Sequence, residues 1–598
     1  MTIASSKSTH SAAVAPMLSQ QAQPQRTDDA AVNESTHHEF RHNWRIASIF
    51  IVLVFLSFLS ALDSSIITTS LPTITHEIGG EREYTWIVNS YLFASTVPQP
   101  LFGQIANVFG RRTPFFVSLG LFFLGSALAG FARNAAMFIA ARVIQGVGSG
   151  GLYVLPEIIM CDLVPPRHRG PYLSALLSAA AIGATIGPII GGVLAQADWR
   201  WIFWINLPVV AVGIVFMIWL LRLKHTRNQT WKAALSRVDF LGNAIFIPSI
   251  ISIFFGLILG GNSTSGYPWD NWRIILSLVL GVFGWIVFHI HQASPICREP
   301  SMPPRLFKHR TSSVGFLMIF LISTFSQAIA FFIPIYFQAV RGTSPLVSGV
   351  NYLPFALALL VLAGSAGGFL SKTGLYKPVH FAGWALSAIG AGLFSMLDED
   401  SNTETWAGFQ ILAAGGVGFI FTVSLPSTLS ALEEGDVAVA TGTFAFVRTF
   451  GFVWGVTMAS IIFNSQVNSR LDTIDDPLVR QYLADGAAYA YAAGREDGSG
   501  SISGLSETSR SQVISIYVQA LRTVWLTYIG ISCVGLLSTF IEKQLDLRRE
   551  HETQFGLAEN EATQDKPDQI LDLVKQGSPT RHISIHDGNG VLEAEKRV

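Results

Sequence analysis

Polar and apolar positions in this 598-residue chain sort into long alternating blocks, not into the short periodic stripes of a soluble protein. Apolar runs of roughly twenty residues, the length that crosses a bilayer core as a helix, fall near 46–67, 85–106, 114–132, 136–160, 171–195, 201–221, 239–260, 273–292, 313–337, 348–370, 379–397, 407–430, 440–464 and 517–541. They predict an all-α membrane protein with fourteen spans. Glycines and prolines inside the runs do not disqualify them, because neighbouring helices satisfy backbone groups that a kink frees. Residues 1–43, rich in Ser, Thr, Gln and Ala, predict a disordered cytosolic tail with no cleavable signal, so the first span is expected to act as its own signal. The long polar stretch 465–512 predicts a flexible outer loop, an ordered cap being the alternative. Residues 542–598 are expected to form a second disordered cytosolic tail.

With 50% hydrophobic and 13% charged residues, the chain has more apolar surface than one soluble core can hide, and the membrane supplies the missing solvent. A formal net charge of -1 argues against a nucleic-acid partner. With the amino terminus inside, short inner loops carry fifteen lysines and arginines and short outer loops five, which predicts cytosolic termini. Asp398-Glu399-Asp400 then lies outside, as does the sequon at Asn262, a predicted glycosylation site, while Asn33 and Asn228 lie inside. Cys161, Cys297 and Cys533 have no metal-ligand spacing and are expected to be free thiols. No phosphate-binding Gly-rich loop, nucleophile elbow or metal box is present, so neither a cofactor nor an enzyme activity is expected.

The chain repeats itself. Gly103, Asn107 and Gly110 correspond to Gly367, Ser371 and Gly374, each 264 positions later; Gly146-Val147-Gly148 with Pro156 matches Gly416-Val417-Gly418 with Pro426, 270 positions on. Span two pairs with ten and span four with twelve, giving six spans, two extra, then six again. The expected divisions are a bundle over 44–222, a two-helix insertion with cytosolic linkers over 223–311, and a second bundle over 312–541.

Between the second and third spans, Gly103-Gln104-Ile105-Ala106-Asn107-Val108-Phe109-Gly110-Arg111-Arg112 resembles the signature loop of the major facilitator superfamily of secondary transporters. Asn107 stands where the commoner pattern has Asp and offers a neutral hydrogen bond at most. The end of span one (Leu62-Asp63-Ser64-Ser65 through Pro72), Arg142 to Gly148, Gly183 to Gly192, and Trp199 to Pro208 are similar to motifs of the family's fourteen-span drug:proton antiporter branch. Fungal exporters of toxins and drugs are the nearest likeness. The resemblance implies the major facilitator fold, a small-molecule substrate held midway between two six-helix bundles, and coupling to protons. It also makes Gly183, Gly187, Pro188, Gly191 and Gly192 the antiporter motif, although ordinary small-residue packing produces the same spacing.

Arg142, Ser149, Tyr153 and Glu157 fall on one face of span four, a polar stripe expected to face the cavity with Gln145. Asp63 and Arg142 lie at the same depth and are expected to meet. A carboxylate there is costly when ionised and unpaired, so Asp63 is the expected proton carrier, tuned by Arg142, with Glu157 as alternate carrier; a permanent tether is the other reading. Arg448 is a substrate-cavity candidate with no partner evident in sequence. Arg111 and Arg112 are expected to gate the cytosolic side with Asp162, together with Gly103, Asn107 and Gly110. The expected activity is proton-driven export of hydrophobic or amphipathic molecules by a monomer in the plasma membrane, the vacuolar membrane being an alternative site. An uptake carrier, for example for an iron chelate, or a membrane sensor are the competing readings.

Overall fold

The computed structural model describes residues 44–78, 84–221, 231–260, 267–484, 488, 491 and 505–547. Among them the fold is all helical, with one isolated bridge from Gly260 to Tyr267. Twelve helices are long and apolar enough to cross a membrane. In chain order the elements are α1 (Trp44–Ile78), α2 (Tyr84–Thr96), α3 (Gln99–Phe109), α4 (Arg112–Gly130), α5 (Ala135–Leu163), α6 (Arg169–Ala197), α7 (Trp201–Trp204), α8 (Asn206–Leu220), α9 (Trp231–Leu235), α10 (Phe240–Leu259), α11 (Trp272–Ala293), α12 (Arg310–Ile335), α13 (Pro345–Thr373), α14 (Lys377–Phe394), α15 (Thr403–Ser430), α16 (Val437–Asn468), α17 (Pro477–Leu483) and α18 (Glu507–Ile541). Two expected spans fall outside the twelve. The run at 85–106 is kinked at Pro98 into α2 and α3, with the chain still bonded helically across the break, and the 18-residue α14 holds Lys377, Pro378 and His380 in its first turn, which leaves it less apolar than the twelve.

The repeat seen in the sequence appears in the backbone. Gly110 and Gly374 close the α3–α4 and α13–α14 turns at φ 79° and 74°, a region that penalises any residue with a Cβ. Gly148 and Gly416 lie against the equivalent helices α4 and α14: a Cβ would stand 2.4 Å from Phe122 N and 2.6 Å from Ser387 N. Their 268-residue offset corrects the alignment of Gly146 with Gly416. Along α6, a Cβ on Gly183 would meet the Phe58 carbonyl at 2.4 Å, and one on Gly187 would lie 3.0 Å from Ile66 N. The spacing of four therefore brings α6 against the backbone of α1, and Gly191 is buried on the same helix.

The insertion helices lie over the seam between the halves. Phe246, Ile250 and Phe254 of α10 and Phe288 of α11 share one apolar cluster with Phe93 of α2 and Phe446 and Phe450 of α16. On the basic-loop side Asp239 caps α10 through Gly242 N at 2.8 Å and also accepts from His291 at 3.0 Å. Burial alone would raise this carboxyl; the bonds from His291, Gly242 and Gln292 outweigh it and hold the group below its ordinary value. Cys297 beside it is pushed up to about 12 by burial and by the Asp239 charge. His291 thus serves the linker, in keeping with an interfacial role.

Two expectations need correction. The stretch 465–512 is not simply a loop: α16 runs to Asn468, α17 follows, α18 starts at Glu507, and Tyr517 donates to the Ala488 carbonyl at 2.5 Å. The polar residues cap helices instead of remaining solvated; Ser506 bonds Ser509 N. The carboxy-terminal segment is ordered through Leu547, which is buried with Leu370 and Tyr376, while Glu542 bonds His380 at 2.8 Å. Trp86, Trp201, Trp269 and Trp272 are exposed, whereas Trp199 is buried and donates to Glu77 at 2.6 Å. Residues 1–43, Asn262 and the tail beyond 547 lie outside the described residues.

Gly183→Val should lower detergent stability by about 1–3 kcal/mol through forced separation of α1 and α6, read as a fall in the size-exclusion melting midpoint, whereas Gly120→Ala, with open space around it, should leave the midpoint unchanged. Because the Asp239 carboxyl is depressed, its stabilising contribution is present above the ordinary value of 3.8 and is lost as pH falls through the lower folded value. Acidification through that window should raise amide exchange at the start of α10 in wild type and leave Asp239→Asn, already weakened, without this step.

Candidate functional site

Between the halves lies a cavity of about 2000 Å³. Its walls come from α1, α2, α5 and α6 on one side and α12, α13, α15 and α16 on the other. It reaches Trp269, Leu346, Asn464 and Asn468, at the ends of helices remote from the basic turns. On the basic side the halves close on each other. A Cβ on Gly103 of α3 would stand 2.7 Å from the Ala438 carbonyl and 3.3 Å from Gly442 Cα of α16. A Cβ on Gly367 of α13 would stand 2.7 Å from Pro171 N and 2.8 Å from Gly170 C, at the start of α6. Because Gly103 and Gly367 are repeat partners, the two contacts are the same gate built twice.

Polar contacts follow this symmetry. Asn107 Nδ2 donates to the Gly435 carbonyl at 3.0 Å, the neutral bond expected of this asparagine. Its repeat partner Ser371 is gripped from the first half: Arg167 Nε donates to the Ser371 carbonyl at 3.0 Å, and His168 Nδ1 lies 2.8 Å from Ser371 Oγ. Gly435 and Arg167 are themselves 268 positions apart. Arg305, in the linker after α11, chelates Asp436 at 2.6 to 3.1 Å. Arg111 is buried and bonds Asp162 at 2.6 Å, so the expected partner is correct for this arginine. Arg112 is exposed and lies over the Phe116 ring at 5.8 Å.

Asp63 and Arg142 meet as their depths implied, at 2.8 Å, with side chains essentially inaccessible. The second Asp63 oxygen accepts from Gln145 Nε2 at 2.9 Å and Asn206 Nδ2 at 2.8 Å, and Gln145 also bonds Ser126. The guanidinium lies 4.0 Å above the Tyr91 ring. This knot ties α1, α4, α5 and α8 together inside the first half. It sits behind the cavity wall: Asp63, Arg142, Gln145 and Ser149 are fully buried and are not lining residues, although Tyr91, which bonds Ser149 at 2.7 Å, is one. The polar stripe of α5 therefore divides, its outer half internal and its inner half, Tyr153 and Glu157, on the cavity.

Arg448 has the partner that the sequence did not reveal. Its Nη1 donates to Glu157 Oε1 at 2.7 Å, joining α16 to α5 across the seam. Glu157 Oε2 is buried with no hydrogen-bond partner among the described residues. Pro188, Gly192 and Phe331 also line the cavity, whereas Phe325, Phe332, Phe444 and Phe446 are buried in helix packing. Asn206 was overlooked. A single amide in an otherwise apolar helix was the signal for it, since such a group needs a buried partner.

The profile of the Major Facilitator Superfamily matches residues 53–456. The chain is 42% identical to the MFS efflux transporter aclA of Aspergillus oryzae, over 90% of this chain and 96% of that one. It is 41% identical to the MFS-type efflux pump LUC4 of a Fusarium species, over 91% and 96%. Among solved structures, the human organic anion transporter MFSD10 superposes with a TM-score of 0.51 at 15% identity, covering 82% of this chain and 99% of that one. The proton:xylose symporter XylE gives 0.50 at 14%, covering 85% and 99%. These two show the shared fold alone. With the two-half cavity, the paired glycine gate and fungal efflux pumps as relatives, the chain belongs to the major facilitator superfamily and is an efflux-pump-like membrane transporter, not an enzyme.

Proposed function

We propose that the protein is a proton-coupled antiporter that exports hydrophobic or amphipathic small molecules across the plasma membrane, working as a monomer with fourteen spans and both termini in the cytosol. The observation that carries this reading is a large, mostly apolar cavity closed on the basic-loop side by two equivalent glycine contacts, with one buried ion pair bridging the halves at its wall. This is the outward-facing arrangement of an alternating-access carrier. Export requires the gate at Gly103–Gly442 and Gly170–Gly367 to open, and it requires Glu157 and Arg448 to part. Protonation of Glu157 removes the charge that holds Arg448 and so couples the proton to that separation. Asp63 was the expected carrier. Its three donors and its place behind the wall favour a positioning role within the first half, with Glu157 as the exchanging carboxylate.

Inside-out vesicles with an acidified lumen should accumulate lipophilic dyes through the wild-type protein. Glu157→Gln should abolish the dependence on the proton gradient while the protein still folds. Asp63→Asn leaves Arg142 buried without its counter-charge and should cost about 3–5 kcal/mol of stability, read in the yield of monodisperse protein. Retention of gradient-driven uptake by Glu157→Gln would refute the assignment. For the gate, Arg167→Ala with His168→Ala should reduce short-linker cross-linking between cysteines placed at Asn107 and Gly435, since the closed state loses its second clasp; unchanged cross-linking would show that the clasp does not stabilise closure.

A further inference from the structure

Where α10 begins and α11 ends, on the basic-loop side and away from the cavity, three donor atoms of different chemistry converge. A carboxylate oxygen of Asp239, a ring nitrogen of His291 and the Cys297 sulfur lie within 4.8 Å of one another. Among the described residues this is the one group of three or more His, Cys, Asp or Glu side chains so placed. Asp239 lies 52 positions before His291 and on another helix, so no local spacing betrays the group. Local structure brings it together. Asp239 caps α10, and His291 sits in the last turn of α11. Ser294-Pro295-Ile296-Cys297 follows as a tight turn, closed by Cys297 N donating to the Ser294 carbonyl at 3.2 Å, with proline at the position it favours. The turn folds the sulfur back onto Asp239, to which the thiol donates.

As a polar tie alone the group gains little from its thiol, a weak donor that a serine hydroxyl would outdo. What the thiol adds is a soft ligand beside an imidazole and a carboxylate. That is a donor set for Zn(II), not for Mg(II) or Ca(II), which take oxygen ligands. Zn(II) at about 2.0–2.3 Å from each donor holds them about 3.3–3.7 Å apart. The His291–Asp239 separation of 3.0 Å widens slightly to meet this, and the others start from 4.8 Å or less. The carboxylate is already oriented by Gly242 N at 2.8 Å and by Gln292 Nε2 at 2.5 Å, outer partners of the kind that metal ligands keep. A Cβ on Gly242 would stand 1.9 Å from Asp239 Oδ2, so glycine keeps the place of the carboxylate open. The Asp239 and His291 side chains are 6% and 10% exposed and Cys297 is half-buried, which leaves an entry path and a fourth position for water on the outer side. We propose that Asp239, His291 and Cys297 form a site for one Zn(II) ion, which clips the linker after α11 to the start of α10. On binding, the thiol proton passes to solvent and the neutral imidazole keeps its proton on Nδ1. The clip steadies the linker that carries Ser301 and Arg305, which hold Gln104 of the signature loop and Asp436 of the second half. The site lies outside the cavity and does not rest on the antiport reading.

The test uses full-length, tag-free protein in detergent micelles, with Co(II) as the spectroscopic probe and Zn(II) as competitor. Wild type should bind one Co(II) per chain, with thiolate-to-metal charge-transfer absorption and the intense visible bands of four-coordinate cobalt, and Zn(II) should bleach both. Cys533→Ser, which removes the exposed thiol, should leave this spectrum intact, and Cys297→Ser should abolish the charge-transfer absorption. His291→Gln should weaken Zn(II) binding about tenfold or more, and Gln292→Ala, which removes an outer partner, about 10–100-fold. Zn(II) should also slow amide exchange over residues 294–302 in wild type but not in Cys297→Ser, while exchange within α10 and α11 of the metal-free variant stays as in wild type. That last comparison separates loss of the site from loss of the fold. Absence of the charge-transfer absorption in wild type, its persistence in Cys297→Ser, Zn(II) affinity unchanged by His291→Gln, or binding that leaves exchange over 294–302 unaltered would each overturn the proposal.

Discussion

An ionised side chain at the centre of a bilayer costs about 3 kcal/mol even on insertion scales, and more when it is cut off from water. Of the four buried arginines among the described residues, three face a carboxylate at 2.6 to 2.8 Å, Arg111 with Asp162, Arg142 with Asp63 and Arg448 with Glu157, while Arg169 donates to the Val164 and Cys161 carbonyls. The rest of the arrangement follows from where these pairs sit. The first two lie within one half and can persist through any rigid movement of that half against the other. The third crosses the seam, so movement of the halves must break it or change its charge. A buried pair contributes little net stability when intact but is costly to leave half-paired. By that asymmetry the Glu157–Arg448 pair is the one that movement of the halves would strain, whereas Asp63 and Arg142 tie helices of a single half.

The remaining contacts across the seam are of a kind that separates without stranding a charge. At Gly103 and Gly442, and again at Gly170 and Gly367, the backbones approach closely because no side chain intervenes. Such contacts gain dispersion energy over a small area and lose it gradually. Asn107 and His168 each add one hydrogen bond and Arg167 two, to the Ser371 and Lys372 carbonyls, near the aqueous boundary, where water replaces the lost partner. Closure on this side is thus the sum of many small terms, and one charged pair is enough to bias it.

Much of this was legible in the sequence, and what was missed has a common cause. The turn glycines Gly110 and Gly374 were readable because a tight reversal sets a local demand on φ. Asp63 with Arg142, and Arg111 with Asp162, were readable because helix length fixes depth, and depth restricts which charges within one half can meet. Arg448 has its partner 291 positions away on a helix of the other half, and pairing them requires the docking register of the halves, which no local pattern encodes. The same holds for Gly442 opposite Gly103. The α5 stripe was correct as a stripe but mistaken as uniformly cavity-facing, since at its outer end α1, α4 and α8 close around the polar groups. Nor does composition distinguish an indole exposed at a helix end from Trp199, whose N–H is taken by Glu77.

The insertion helices bear on the same problem of movement. A seam that opens and closes in a membrane must keep lipid tails from wedging into it, yet polar contacts spanning it would tie it shut. The cover provided by α10 and α11 is aromatic: Phe254 stacks on Phe450 at 5.7 Å and on Phe93 at 5.7 Å, and Phe246 meets Phe446 at 5.1 Å. An aromatic pair is worth only about 0.5–1.5 kcal/mol beyond its area burial and tolerates several offset geometries, so such a surface imposes less register than a ladder of hydrogen bonds. Polar contacts attach the insertion at its basic end, where Arg305 holds Asp436 and Gln104 bonds Ser301 and Asp239. Held there by polar contacts and elsewhere by ring packing, the insertion covers the seam between the halves. Its outer end, at Leu257, Ile258 and Trp269, then forms part of the cavity wall that the substrate meets.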